Sequence, residues 1–287
     1  MGRRAPDPAP NFVVDVAITL NESDMRENAL KNRLSKDLPA LNGWLCLPAS
    51  FSAEVMAAQG WDSLTIDLQH GLIDYQVAVG MLQAISGGRT TPLVRIPWLD
   101  PAIIMKVLDA GAYGVICPMI NSAEETERFV AACRYPPAGI RSFGPLRARL
   151  YAGSDYFKEA NRTILAIAMI ETHSALERLD EILSVPGLDG IYVGPSDLSI
   201  ALGLTPTLDS NEKTLLDAIK RIVDATRAKN LIPGIHTHSA AFARRVIDLG
   251  YRFVTIGSDI HFLTEKASET LRAMERTPES SERLGTY

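Results

Sequence analysis

A chain of 287 residues that is 46% apolar can bury a large core, yet it has no stretch long or uninterrupted enough to span a bilayer. The net charge of −5 argues against non-specific nucleic-acid binding, which requires a basic face. These figures suit a small-molecule enzyme of the cytoplasm, with neither nucleic acid nor membrane as a partner.

Residues 1–20 read as an extension, because Pro6, Pro8 and Pro10 disfavour a helix. The apolar patch Phe12–Leu20 is short, carries Asp15 and is followed by no small-residue cleavage site, so it is not read as a secretory signal. A polar helix is expected over Ser23–Lys36, capped by Ser23 or Asn21, where it would cover one end of a barrel or meet a neighbouring subunit. The expected division is an N-terminal extension and helix over 1–41, a barrel over 42–276 and a flexible polar tail over 277–287.

A strand–helix rhythm then begins. Strands are expected at Trp44–Leu47, Leu64–Asp67, Leu93–Ile96, Gly114–Pro118, Ile164–Ile170, Gly190–Val193, Ile232–His236 and Phe253–Ile256. Helices are expected between them at Ser52–Gln59, Asp74–Ile85, Pro101–Gly111, Ser122–Arg134, Ala175–Leu183, Glu212–Lys229 and Ala240–Leu249, with a last one over Phe262–Met274. The beat is broken once, from Tyr135 to about Arg162, by Pro136, Pro137, Gly139, Gly144 and Pro145 and a short polar helical piece near Tyr156–Glu159. Long excursions in compact repeats are more often functional than accidental. Its Arg141, Arg147 and Arg149 fit either an anion-receiving lid or an intersubunit patch. Continuous apolar strands imply a parallel sheet covered by helices, and eight units close an α/β barrel of the (β/α)8 TIM type. An open doubly wound sheet is the competitor, but no Gly-x-Gly-x-x-Gly turn follows a strand.

Functional residues of such barrels sit where strands end. Those positions hold Trp44; Asp67, Gln69 and His70; Arg95; Glu171; Asp197; and His236 with His238. Glu171 and Asp197 end adjacent strands, whose backbones run about 5 Å apart. Both acids can therefore reach one hard cation such as Mg²⁺ or Mn²⁺, with Co²⁺ as a further option, although either acid alone also suits a helix cap. The turn Gly194-Pro195-Ser196-Asp197 offers backbone N–H groups to a substrate carboxylate. Asp67 precedes His70 by three residues, a spacing that lets a carboxylate orient an imidazole and raise its basicity. Arg95, directly after Pro-Leu-Val, is expensive to bury unless it meets an anion, such as a developing enolate oxygen. His236-Thr237-His238 looks like a metal pair, but only one of the two is expected to face the mouth, as a substrate contact. His173 and His261 read as helix-start or surface residues. Cys46, Cys117 and Cys133 are too few and scattered for a disulfide framework or zinc knuckle, and Cys46 and Cys117, inside apolar runs, are expected to pack in the core.

The segments IDLQHG (Ile66–Gly71), PLVRIPW (Pro92–Trp98), AGAYGVICPMI (Ala110–Ile120), RYPPAGIRSFG (Arg134–Gly144), MIET (Met169–Thr172) and GPSDLS (Gly194–Ser199) resemble the HpcH/HpaI-type class II pyruvate aldolases, a family that includes macrophomate synthase. They cover about Gly43 to Leu271 in the family's order. The resemblance implies a (β/α)8 barrel in a homo-oligomer, usually a hexamer, whose C-terminal helices swap between neighbours. It implies a divalent metal held by Glu171 and Asp197 and chelated by pyruvate, an enolate steadied by Arg95, and proton relay by Asp67 and His70. The implied activity is reversible cleavage of a 4-hydroxy-2-oxoacid to pyruvate and an aldehyde. Alternatives are oxaloacetate decarboxylation, cleavage of a thioester-linked acid, or a non-catalytic barrel that binds an oxoacid. Gln69, Met169 and His236 stand where the family often has glutamate, glutamine and an apolar residue. Choice of substrate is therefore expected to lie with Gln69, His236 and the excursion after Tyr135.

Overall fold

The computed structural model describes residues 25–276. The extension through residue 20, the caps proposed at Asn21 or Ser23 and the tail from Thr277 lie outside them. Eight strands, β1 (Ala40–Leu45), β2 (Ser63–Asp67), β3 (Thr91–Arg95), β4 (Gly114–Cys117), β5 (Leu165–Ile170), β6 (Gly190–Val193), β7 (Ile232–Thr237) and β8 (Phe253–Ile256), close into a barrel in sequence order. Every neighbouring pair is parallel, and β8 returns to β1. The expected fold class is the observed one.

The helices are α1 (Ala29–Leu34), α2 (Ser50–Ala57), α3 (Tyr75–Ser86), α4 (Pro101–Asp109), α5 (Ala123–Cys133), α6 (Leu146–Ala152), α7 (Tyr156–Thr163), α8 (His173–Glu177), α9 (Leu179–Leu183), α10 (Pro195–Ala201), α11 (Lys213–Ala228), α12 (Ala240–Leu249) and α13 (Asp259–Ala273). Several open directly after a strand on a side chain that accepts from the first turn, namely Asp74, Asp100, Ser122, Thr172, Ser239 and Ser258. These caps satisfy N–H groups that the helix itself leaves open. The helix expected over Ala175–Leu183 is two short ones, because Arg178 leaves helical geometry. Gly250, at φ 115°, ends α12 in the left-handed region that favours glycine. None of the described helices is long and apolar enough to cross a membrane.

Alternate strand residues point into the barrel. The floor and middle are filled by Ala40, Leu93, Ile116, Leu165, Ile167 and Phe253. Leu30 and Leu34 of α1 join this cluster, while Asn28 caps α1 and donates to the carbonyls of Tyr113 and Thr163. Of the two roles open to the first helix, the structure shows the floor cover. The helix is shorter than expected, and β1 starts at Ala40, so both pack as parts of the barrel.

The excursion folds as α6 and α7 and fastens to the outside of the barrel. Arg141, 1% exposed, pairs with Asp109 at the end of α4 at 2.7 Å. Arg147 donates to the carbonyl of Leu82 at 3.1 Å and to Ser86 Oγ at 2.6 Å on α3. These two arginines are clamps between helices, whereas Arg149 points to solvent.

Candidate active site

A cavity of about 350 Å³ opens where the strands end. Trp44, His70, Arg95, Glu171, His236 and the turn Gly194–Asp197 line it. Asp67 and Gln69 do not, and neither does any residue of the excursion, so the expectation that the excursion helps choose the substrate is corrected. Its Arg141 and Arg147 are committed to α4 and α3, on the barrel's outer side.

Strands β2 and β3 place Asp67 and Arg95 in register. Arg95 donates from Nε to Asp67 Oδ1 at 2.8 Å and from Nη2 to Oδ2 at 2.6 Å, with the acid fully buried and the arginine 8% exposed. Trp44 Nε1 donates to the same carboxylate at 3.2 Å, and its ring lies under the guanidinium at 4.8 Å. Burial pushes Asp67 up, but Arg95, Gln69 N–H and Trp44 outweigh it and hold the acid below the ordinary carboxylate range. The anion that Arg95 needed is thus supplied within the fold. Two of its nitrogens are fixed by Asp67, and its other edge faces the cavity.

Glu171 stands at the end of β5, 2% exposed, its Oε1 held by Met119 N–H at 2.7 Å. A side chain at residue 194 would collide with Oε2, so glycine lets the β6 turn close onto this acid. Burial pushes Glu171 up to about 7; the Met119 N–H opposes this and nearby Asp197 adds to it. Asp197 is exposed in the first turn of α10, where no side chain caps the helix. Two carboxylates that repel each other across the cavity mouth, with no ion pair to either among the described residues, form a pair of oxygen donors that fits a hard cation.

His70 sits exposed at the mouth, and its backbone N–H donates to Asp67 Oδ1 at 3.3 Å, as does that of Gln69 at 3.0 Å. The carboxylate therefore shapes the turn that carries the imidazole. Burial and the Arg95 charge pull His70 below its ordinary value, against Asp67 and Asp197. The net direction is opposite to the raised basicity expected from Asp67 alone, because burial first and Arg95 second outweigh that charge. The turn takes the Gln69 side chain out of the cavity wall, with Oε1 buried and unpartnered.

His236 lines the cavity and His238 does not. Period two would put both on one face. They part because β7 ends at Thr237, after which Asp209 accepts from the N–H groups of His238 and Ser239, both at 2.8 Å. His238 instead packs against His261, the ring centroids 3.9 Å apart and the planes tilted by 56°. His173 is a surface residue beside Glu177.

Three features escaped the sequence reading. Cys46 packs against the barrel's interior cluster, as expected, but also lines the cavity wall, its thiol pushed up to about 12 by burial and the charges of Asp67 and Asp259. Tyr192 lies hidden in the apolar run of β6, its ring 5.7 Å from that of Trp44. Asp259, after β8, accepts from Cys46 N–H at 2.9 Å and Leu47 N–H at 3.1 Å, tying the last strand's loop to the first. An acid just beyond an apolar strand was the available signal, fainter than at Glu171 because Gly257 and Ser258 separate Asp259 from β8.

Comparison with known proteins agrees with this geometry. The chain is 41% identical over 244 residues to a hydroxypyruvate/pyruvate aldolase of Rhizorhabdus wittichii, covering 85% of this chain and 97% of that protein. It is 38% identical over 250 residues to a 4-hydroxy-2-oxo-heptane-1,7-dioate aldolase of Salmonella dublin, covering 86% and 94%. A solved HpcH/HpaI aldolase/citrate lyase family protein from Burkholderia cenocepacia superposes with a TM-score of 0.81 at 29% identity, over 86% of this chain and 99% of that one. With the family model matching residues 43–265 as well, the chain belongs to the HpcH/HpaI aldolase/citrate lyase family.

Proposed function

We propose that the protein is a metal-dependent carbon–carbon lyase, a class II pyruvate aldolase that reversibly cleaves a 4-hydroxy-2-oxoacid to pyruvate, or a close 2-oxoacid, and an aldehyde. The supporting observation is the pairing of two unlike charge arrangements around one cavity: Glu171 and Asp197, which make no ion pair among the described residues, and an arginine held in place at Arg95. Glu171 and Asp197 would hold a divalent cation, Mg²⁺ or Mn²⁺, which when bound supplies Lewis-acid polarisation of the 2-oxo group.

The chain's own residues carry the remaining work. In cleavage the C3–C4 bond breaks and its electron pair passes toward the 2-oxo oxygen, where the free edge of Arg95 meets the growing negative charge. Asp67 and Trp44 keep that guanidinium from swinging, so little reorganisation is needed as charge develops. His70, neutral near pH 7, takes the proton of the 4-hydroxyl as the aldehyde forms and returns a proton to C3. The turn Gly194-Pro195-Ser196 borders the same space and is the wall assigned to the substrate carboxylate.

Chelation should abolish exchange of the pyruvate C3 protons, and added Mg²⁺ or Mn²⁺ should restore it; exchange that continues in EDTA removes the metal from the reading. Faster turnover of oxaloacetate than of any 4-hydroxy-2-oxoacid would replace aldol cleavage with decarboxylation. The same reading includes a homo-oligomer, for which α13 is the support: only Asp259 of its residues is buried, while Leu263, Leu271 and Met274 beyond its end face outward. Light scattering of the full chain reads the assembly, with a hexamer expected.

A further inference from the structure

Beyond the buried charges, the mouth of the cavity has two unlike sides. His70 follows β2, whereas Ile200, on α10, follows β6, four strands on and so across the closed barrel. With Ile200 stand Pro206 and Leu208 of the loop before α11, and Ile260 after β8, all lining the same space. The wall is built before any ligand arrives, because Asp209, next to Leu208, accepts from the N–H groups of His238 and Ser239, both at 2.8 Å. The lyase reading gives these four apolar side chains no task.

What they lack decides what they can receive. Arg95 is the only lysine or arginine among the described residues that line the cavity, and Asp67 already holds two of its nitrogens. Burial and the Arg95 charge draw both lining histidines, His70 and His236, toward the neutral form. The rim's own charge is Asp197, three residues before Ile200 on α10, a spacing that puts Cβ atoms about 5–6 Å apart. A carboxylate laid against Ile200 would exchange water for hydrocarbon and face that like charge. A methyl group in the same place gives up nothing polar, and each methylene removed from water strengthens binding about fourfold.

We propose that Ile200, Pro206, Leu208 and Ile260 receive the carbon chain of the aldehyde, so that the site selects uncharged aliphatic aldehydes over aldehydes that end in a carboxylate. The 4-hydroxyl then turns to His70 and the chain to the wall opposite. The inference rests on the lyase reading and deepens it by naming the aldehyde class.

The test measures kcat/KM for addition of pyruvate to acetaldehyde, propanal, butanal and succinic semialdehyde. The last two are alike in length and differ in a terminal methyl or carboxylate. In the wild type the value should rise about three- to fourfold per methylene up to butanal, and butanal should exceed the semialdehyde at least about tenfold. Ile200→Arg should move that ratio at least about tenfold toward the semialdehyde. Ile200 is 58% exposed, so this variant should fold; if it does not, Ile260→Ala decides by flattening the methylene series. A flat series in the wild type overturns the proposal, and so does an equal or higher value with the semialdehyde. A ratio that Ile200→Arg leaves unmoved overturns it as well. A wild type that joins pyruvate to none of the aldehydes overturns the lyase reading instead. Calorimetric binding of 2-oxoheptanoate against 2-oxoheptanedioate then reads the wall without chemistry: tighter binding of the monoacid supports it, and equal or weaker binding overturns it.

Discussion

Two halves of the barrel mouth treat buried charge in opposite ways. On β2 and β3, Asp67 meets Arg95 through two short bonds and Trp44 closes the remaining side, so the charge is balanced before any ligand arrives. On β5 and β6, Glu171 and Asp197 share a wall, and among the described residues no cation pairs with either acid. A balanced charge holds geometry, and an unbalanced one creates demand for a ligand. The same residue type, placed at corresponding strand ends, is scaffold in one half and binding site in the other.

The sharpest way to break this comparison is to neutralise each half in turn. Glu171→Gln should lower kcat/KM for aldol cleavage at least ten-thousandfold, about 5.5 kcal/mol, by removing a metal ligand. In chelated protein it should leave the melting temperature unchanged or higher, because a buried unmatched acid has gone. Loss of stability equal to the loss of activity, read by calorimetry, would mean that Glu171 belongs with the scaffold. Asp67→Asn should do the reverse and cost about 3–5 kcal/mol of stability in denaturant titration, because Arg95 is left buried without its anion. Replacing both, as Asp67→Leu with Arg95→Met, should recover most of that loss. A single variant as stable as the wild type would show that the pair is not the anchor described.

Acidification gives a smaller effect on the β7 side. The folded His236 resists protonation down to about 3, while the unfolded chain takes the proton near the ordinary value of 6.5. Its contribution to stability is complete above pH 6.5 and is lost as the pH falls from there toward 3, by about 1.4 kcal/mol per unit. The stability difference between wild type and His236→Asn, measured at pH 7.5 and 4.5, should therefore narrow in acid; a constant difference would contradict a buried neutral imidazole. The smallest expected effect lies outside both halves. Arg149→Ala, on the solvent face of α6, should alter kcat/KM by no more than about twofold. A tenfold loss would bring the excursion back into the site.

What the amino-acid order disclosed follows the same division. Glu171 and Asp197 stand out because an acid directly after an unbroken apolar strand has no local reason to be there. The Asp67–Arg95 pair was legible as two residues but not as a pair, since only the β2–β3 register brings them side by side. Tyr192 was invisible because its ring belongs to the apolar pattern and only its hydroxyl, satisfied by distant Thr255, is polar. The excursion was misjudged since length marks a segment as unusual without telling which end of the barrel it will reach. Cys46 was assigned to the core alone by its neighbours, but it lies just past the end of β1, where the barrel interior gives way to the cavity.

The floor of the barrel, closed by Leu30 and Leu34, has a consequence for the order of events. A barrel stoppered at one end is a cul-de-sac, so whatever enters must return by the same route. When one molecule is cut in two inside it, the fragment nearer the mouth leaves first and the deeper one waits behind it. An excess of the outer fragment then blocks the door for the inner one. For a cavity that keeps Arg95 and Glu171 buried while His70 and Asp197 stand at its mouth, the charged oxoacid is the last out and, in the reverse direction, the first in.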